Sequence, residues 1–203
     1  MKSLVILGVP RAGKTRLSTK VAGQLAKEGF VPCVLPADVI LSSLDKCRKT
    51  LFWRYVIRPL KHVVPFANKI SKQRLINKMV VFSRNFFKSI PDDKVVIFEG
   101  AYITPEEAIK KFDLNATKIV VIGYTHADIK QKMADIRKYS RGVSPLIKKT
   151  DEELYNRVAG FIAKSQEHKK MSEKYGLVFL DTSDDYCGTI NSFAENIVDF
   201  LSD

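Results

Sequence analysis

The eight residues Gly8-Val9-Pro10-Arg11-Ala12-Gly13-Lys14-Thr15 fit the spacing G-x-x-x-x-G-K-[ST] at every fixed position. That pattern describes a phosphate-binding loop. Its two glycines let the backbone curl tightly and turn successive N–H groups inward, where they bond polyphosphate oxygens at a helix N-terminus. Gly8, Pro10, Arg11, Ala12, Gly13, Lys14, Thr15 and the following Arg16 are therefore the candidate nucleotide-binding residues. Lys14 would neutralise β- and γ-phosphate charge, and the Thr15 hydroxyl would coordinate Mg²⁺. A chance match in a glycine-containing turn is the competing reading. Against it, Ser3 to Leu7 is a short apolar run suited to a buried strand, and Lys14 to Lys27 carries Leu17, Val21, Leu25 and Ala26 at helical spacing before Gly29. Strand, loop and helix arrive in the required order.

With 203 residues, 45% hydrophobic and 28% charged, the chain reads as one domain able to bury a core without staples. Cys33, Cys47 and Cys187 are odd in number and form no C-x-x-C, which suits reduced thiols rather than a disulfide frame. No apolar run is long enough to span a bilayer, and the first strand leaves no room for a signal peptide, so a cytoplasmic location is expected. The net charge of +12 is concentrated: residues 45–90 hold twelve Lys and Arg against Asp45 alone.

A second strand is expected at Phe30 to Leu35, followed at once by Asp38. Ligands of an open parallel sheet sit beyond the carboxyl ends of its strands, so Asp38 would face the nucleotide site, or would N-cap a helix starting near Val39. The basic segment then intersperses Leu51, Phe52, Trp53, Tyr55, Val56, Ile76, Met79, Phe82, Phe86 and Phe87 with lysines and arginines. This spacing predicts two or three amphipathic helices, broken near Pro59 and Pro65, forming a helical insertion over about 45–90. Such a field would attract an anionic acceptor, nucleic acid or an acidic membrane surface, or would simply be solvated.

Lys94 to Phe98 is a third strand ending in Glu99-Gly100. An acid abutting a buried strand is unfavourable without a partner, and this one stands where a phosphate-loop enzyme places an acid near Mg²⁺ or the acceptor. Thr104 to Glu107 forms a capping box, and Lys118 to Ile122 a fourth strand. A helix is expected from about Thr125, with Asp128 as its capping partner. That helix carries Arg137 and Arg141 on one face before Gly142 and Pro145, suiting a lid over about 137–150 whose guanidinium forks match phosphate oxygens, or a solvated cationic face. A long capped helix from Thr150 to Tyr175 follows, then a fifth strand at Leu177 to Leu180, the turn Asp181-Thr182-Ser183, and a last helix over about 189–201. His62, His126 and His168 are isolated, and no zinc site can be assembled from them.

In sum, GVPRAGKT, Asp38 after strand two, VVIFEG at strand three, an R-x-x-x-R helix leading into a loop and a final strand ending in DTS resemble the small phosphate-loop kinases of the nucleoside, nucleotide and shikimate kinase group. The resemblance covers most of the chain except the basic insertion. It implies a three-layer α/β/α fold with a five-stranded parallel sheet in order 2-3-1-4-5, ATP and Mg²⁺ as cofactors, and transfer of the γ-phosphoryl group to a small acceptor. It also implies catalytic roles for Lys14, Asp38, Arg137 and Arg141, and a metal-side role for Thr15 and Glu99. No full acceptor-binding signature of nucleotide, shikimate or gluconate kinases stands in 45–90, so the acceptor is unassigned. Asn77-Lys78-Met79-Val80 lacks the aspartate of an N-K-x-D guanine signature. The competing reading is an NTP-binding module whose basic helices grip nucleic acid or an anionic membrane; a kinase of nucleic-acid 5′ ends would unite the two.

Overall fold

The computed structural model describes residues 3–48, 66–91, 94–140 and 146–202. The apolar, β-branched runs form five strands: β1 (Ser3–Gly8), β2 (Val31–Pro36), β3 (Lys94–Gly100), β4 (Thr117–Gly123) and β5 (Val178–Asp181). All pair in parallel, in the order β2-β3-β1-β4-β5. This is the expected α/β/α architecture. β1 therefore lies at the centre, and the chain leaves it towards β2 on one side while β4 and β5 build the other. The crevice beyond its carboxyl end is where such a sheet binds ligands.

Alternating side chains on the central strands feed two cores on opposite faces. Leu4, Ile6, Ile97, Val120 and Ile122 pack against Leu17, Val21 and Leu25 of α1 (Lys14–Lys27), Ile190 of α7 (Tyr186–Glu195) and Leu201 of α8 (Ile197–Ser202). Val5, Leu7, Phe98 and Val121 pack against Leu41 of α2 (Ala37–Arg48), Met79 and Val80 of α3 (Phe66–Ser89) and Ala108 of α4 (Pro105–Lys111). A smaller cluster, Ile136, Leu154 and Val158, joins α5 (Ile129–Tyr139) to α6 (Asp151–Tyr175). The capping boxes Thr104/Glu107 and Thr150/Glu153 form as the sequence predicts.

Three boundaries differ from the sequence reading. The helix expected from Thr125 starts at Ile129, because the Thr125 hydroxyl donates to Asp181 while Asp128 itself caps, accepting the Gln131 N–H at 2.7 Å. The last helix starts earlier, at Tyr186, because Asp185 accepts the Gly188 N–H at 2.7 Å, and it divides at Asn196. In the basic segment, α3 runs unbroken for 24 residues directly after Pro65; the expected break at Pro59, and with it Phe52, Trp53 and Tyr55, lies outside the described residues. Phe87 of α3 stacks on Phe112 with centroids 5.8 Å apart and belongs to the core, whereas Phe82 stays exposed beside Phe86.

One side chain of α6 sets a pH dependence for the fold. His168 is 2% exposed, and neither ring nitrogen has a hydrogen-bond partner. Burial, and secondarily the charges of Lys164 and Lys14, push its pKa down from 6.5 to about 4. A depressed histidine means that the unfolded chain takes up the proton first as pH falls, so this group removes stability between pH 6.5 and about 4. In urea titrations across that window, His168→Leu is expected to lose less stability on acidification than the parent protein, with the two curves separating progressively below pH 6.5.

Candidate functional site

The phosphate-loop sequence sits between the carboxyl end of β1 and the first turn of α1. Two backbone positions explain its glycines. Gly8 has φ 153°, and a Cβ there would lie 2.0 Å from the Ile122 carbonyl oxygen of the paired strand β4. Gly13 has φ 105°, and a Cβ there would meet the Tyr186 ring at 2.8 Å. Between them Arg11 takes φ 65°, a left-handed value uncommon outside glycine. The loop thus opens the N-terminus of a 14-residue helix with no side-chain cap in place.

Pro10, Arg11, Gly13, Lys14, Thr15 and Arg16 line one deep cleft, whereas Gly8 and Ala12 shape it from behind, with Ala12 fully buried. The Lys14 ammonium donates to the Val9 carbonyl at 2.9 Å. Burial pulls its pKa below the ordinary lysine value, against the attraction of Asp38 and Glu99. Thr15 Oγ1 donates to Glu99 Oε1 at 3.0 Å, and Ser18 Oγ to Glu99 Oε2 at 3.3 Å. Glu99 is only 7% exposed, and burial raises its pKa even though those two hydroxyls and Lys14 favour the charged form. The partner that an acid on a buried strand requires is therefore supplied by α1.

Asp38 lies in the first turn of α2, which begins at Ala37, so it is inside the helix rather than its cap. It lines the cleft with Glu99, Gly100 and Tyr102. Arg137 is placed differently from the expected phosphate contact. Its guanidinium donates to Asp151 and to the carbonyls of Ile147 and Lys149, both at 3.3 Å, tying α5 to the start of α6, and it does not line the cleft. The carboxylate of the α6 first turn offers it a nearer anion. Arg141 lies outside the described residues.

Several cleft residues carry no motif. Lys164 of α6 lines the cleft and is near enough to Lys14 for their charges to repel. Its only sequence signal is its place beside the buried stripe Ser165, His168 and Ser172. Lys132 of α5 lies 4.2 Å from the Tyr124 ring centroid and 5.6 Å from that of Tyr186, and burial lowers its pKa. Arg16 covers Tyr186 at 5.4 Å. The turn after β5 is braced: Asp181 accepts from the hydroxyls and backbone N–H groups of Thr125 and Ser183, and although burial opposes ionisation these bonds hold its pKa below the ordinary value. Among the described residues no cluster of three or more His, Cys, Asp or Glu could hold a metal by itself. The cleft occupies about 2300 Å³, more than the roughly 300–1,000 Å³ of a single small-molecule site.

No protein-family model and no curated protein matches the sequence. Solved structures do match the fold. Shikimate kinase from Bacteroides thetaiotaomicron is 15% identical, with a TM-score of 0.56 over 99% of this chain and 98% of that one. Shikimate kinase from Acinetobacter baumannii, solved with shikimate, is 14% identical, with a TM-score of 0.53 over 100% of this chain and 93% of that one. At these identities the likeness establishes the fold, which is that of small phosphate-loop kinases.

The buried Glu99 generates a second pH dependence. An acid whose folded pKa is raised gains stability as pH falls through the window above its ordinary 4.5. Glu99→Gln removes that titration. The variant is expected to melt at or above the parent temperature at pH 8, with the difference narrowing as pH is lowered to 5; a gap that widens on acidification would reverse the assigned sign.

Proposed function

We propose that the protein is an ATP-dependent phosphotransferase that moves the γ-phosphoryl group to the hydroxyl of a small, anionic acceptor. The observation that carries this reading is the convergence, in one cleft at the carboxyl end of the central strand, of the Lys14 ammonium, the Thr15–Glu99 pair, Asp38 and Lys164. Two repelling lysines in a partly dry cleft call for an anion, and a polyphosphate lying along the loop answers that demand.

The donor set also suits a divalent cation. Thr15 Oγ1 and the Glu99 carboxylate are hard oxygens 3.0 Å apart, the type Mg²⁺ takes alongside phosphate oxygens and water. Mg²⁺ held there would offset charge on the β- and γ-phosphates. In the chain's own terms, loop N–H groups grip the phosphates and Lys14 leaves the Val9 carbonyl for a phosphate oxygen. Asp38 accepts the acceptor's hydroxyl proton as the new oxygen–phosphorus bond forms and the bond from γ-phosphorus to the β–γ bridging oxygen breaks, releasing ADP. Lys164 neutralises an anionic group on the acceptor or the phosphoryl group in transit. Arg137 acts one step removed, by tying α5 to the start of α6, and the proposed lid spans about 137–150 with Arg141 as its phosphate contact. The helical segment at 45–90, with α2 and α3 at its ends, would enclose the acceptor as part of the same domain. Cys33 on the edge strand β2 and Cys187 in α7 are free thiols, which supports a reducing, cytoplasmic location as part of this proposal.

Lys14→Ala is expected to lower ATP turnover by about 10²–10³-fold, the cost of one preorganised charge, with an unchanged circular dichroism spectrum. Asp38→Asn, measured with saturating Mg·ATP, is expected to lower kcat by about 10²–10⁴-fold while leaving nucleotide affinity within about twofold. Near-parental turnover in Lys14→Ala would sink the proposal.

A further inference from the structure

Tyr124 is the residue just past the carboxyl end of β4, and it is fully buried. Three bonds converge on it from separate elements. Its hydroxyl donates to the Pro10 carbonyl inside the phosphate loop at 2.9 Å, its backbone N–H donates to Ser165 Oγ of α6 at 3.1 Å, and its ring faces the Lys132 ammonium of α5 at 4.2 Å. Burial raises the pKa of the phenol, so the hydroxyl remains a donor.

The bond to Pro10 has a directional consequence. The chain has no cis peptide among its described residues, and in a trans peptide plane the C=O and the following N–H point in opposite directions. Fixing the Pro10 carbonyl on Tyr124 therefore turns the Arg11 N–H the other way, away from the tyrosine hydroxyl, in a loop segment whose Pro10 and Arg11 both line the cleft. Arg11 is also the one described non-glycine residue with positive φ, a conformation that persists only where its surroundings hold it. Within the loop, the Ala12 N–H donates to the Val9 carbonyl at 3.4 Å and closes a turn over Pro10 and Arg11, but that bond is shared by turns of either central-peptide orientation and does not by itself fix which way the Pro10 carbonyl points.

We propose that Tyr124 is a positioning residue for phosphate binding, its hydroxyl locking the Pro10–Arg11 peptide so that the Arg11 N–H is presented to the nucleotide's phosphates. The role rests on the proposed nucleotide site but is separable from the transfer step. It is absent from the phosphate-loop motif, because the residue that performs it follows that motif by more than a hundred positions. Ser165 and Lys132 hold the tyrosine in turn, so α5 and α6 bear on loop geometry through one side chain.

The test is Tyr124→Phe in the full chain, which removes one oxygen and keeps the ring. Affinities for Mg·ATP and for Mg·tripolyphosphate are measured by calorimetry, and amide hydrogen exchange is followed over 9–13 and over α6. The expected result is a weakening of both ligands by the same factor, about 3- to 10-fold, as for loss of one neutral hydrogen bond. Faster exchange is expected at 9–13, with α6 protection retained. Unchanged affinity for tripolyphosphate, or a loss confined to ATP, would overturn the proposal. So would loss of protection across α6 together with the loop, which would mark Tyr124 as a general core residue. Parent protein that binds neither ligand would instead refute the nucleotide site itself.

Discussion

An ammonium group held in a partly dehydrated cleft, attracted by two carboxylates, is the constraint from which the rest of this structure can be read. Lys14 is kept in the cleft by a curl whose end positions are shaped for glycine, with Ile122 behind Gly8 and Tyr186 behind Gly13. Its carboxylate neighbours come from two other strand ends: Asp38 follows β2 and Glu99 lies in β3. Only the order β2-β3-β1 brings those ends beside the loop, and only parallel pairing puts all three at the same edge. Sheet topology is thus what converts three sequence fragments into one electrostatic unit.

The unit is deliberately unbalanced. Glu99 is buried and its pKa rises, Lys14 is buried and its pKa falls, and His168 behind them is held neutral. Each of these groups would be better served by more charge of the opposite sign or more water. Proteins concentrate such perturbed groups where ligands complete the balance. A magnesium–polyphosphate complex brings both a cation for Glu99 and anions for Lys14 and Lys164, which is why the same cleft that strains the isolated chain suits a phosphoryl donor.

The sheet and the loop were legible in the chain because their signals are local. Continuous apolar runs mark the buried parallel strands, and the fixed glycine spacing marks the curl. Cap chemistry was legible where it was uncontested, at Thr104 and Thr150. It misled at Thr125, whose hydroxyl serves Asp181, a residue 56 positions away. Spacing alone does not give a partner for Arg137, whose guanidinium here meets Asp151 of α6. Lys132, Lys164 and Tyr124 were invisible because nothing in their immediate sequence distinguishes a lysine at the cleft, or a tyrosine buried against the loop, from one in solvent. Their roles exist only once α5 and α6 are laid over β4.

What separates a phosphotransferase from a nucleotide-binding module is the fate of the γ-phosphoryl group. The direct measurement is ³¹P nuclear magnetic resonance of Mg·ATP incubated with the protein and a panel of nucleosides, nucleotides, sugars and hydroxy acids. The account predicts a new phosphomonoester resonance with one member or one class of the panel, growing in step with ADP. ATP conversion to ADP and inorganic phosphate alone, unchanged by every acceptor, would contradict it.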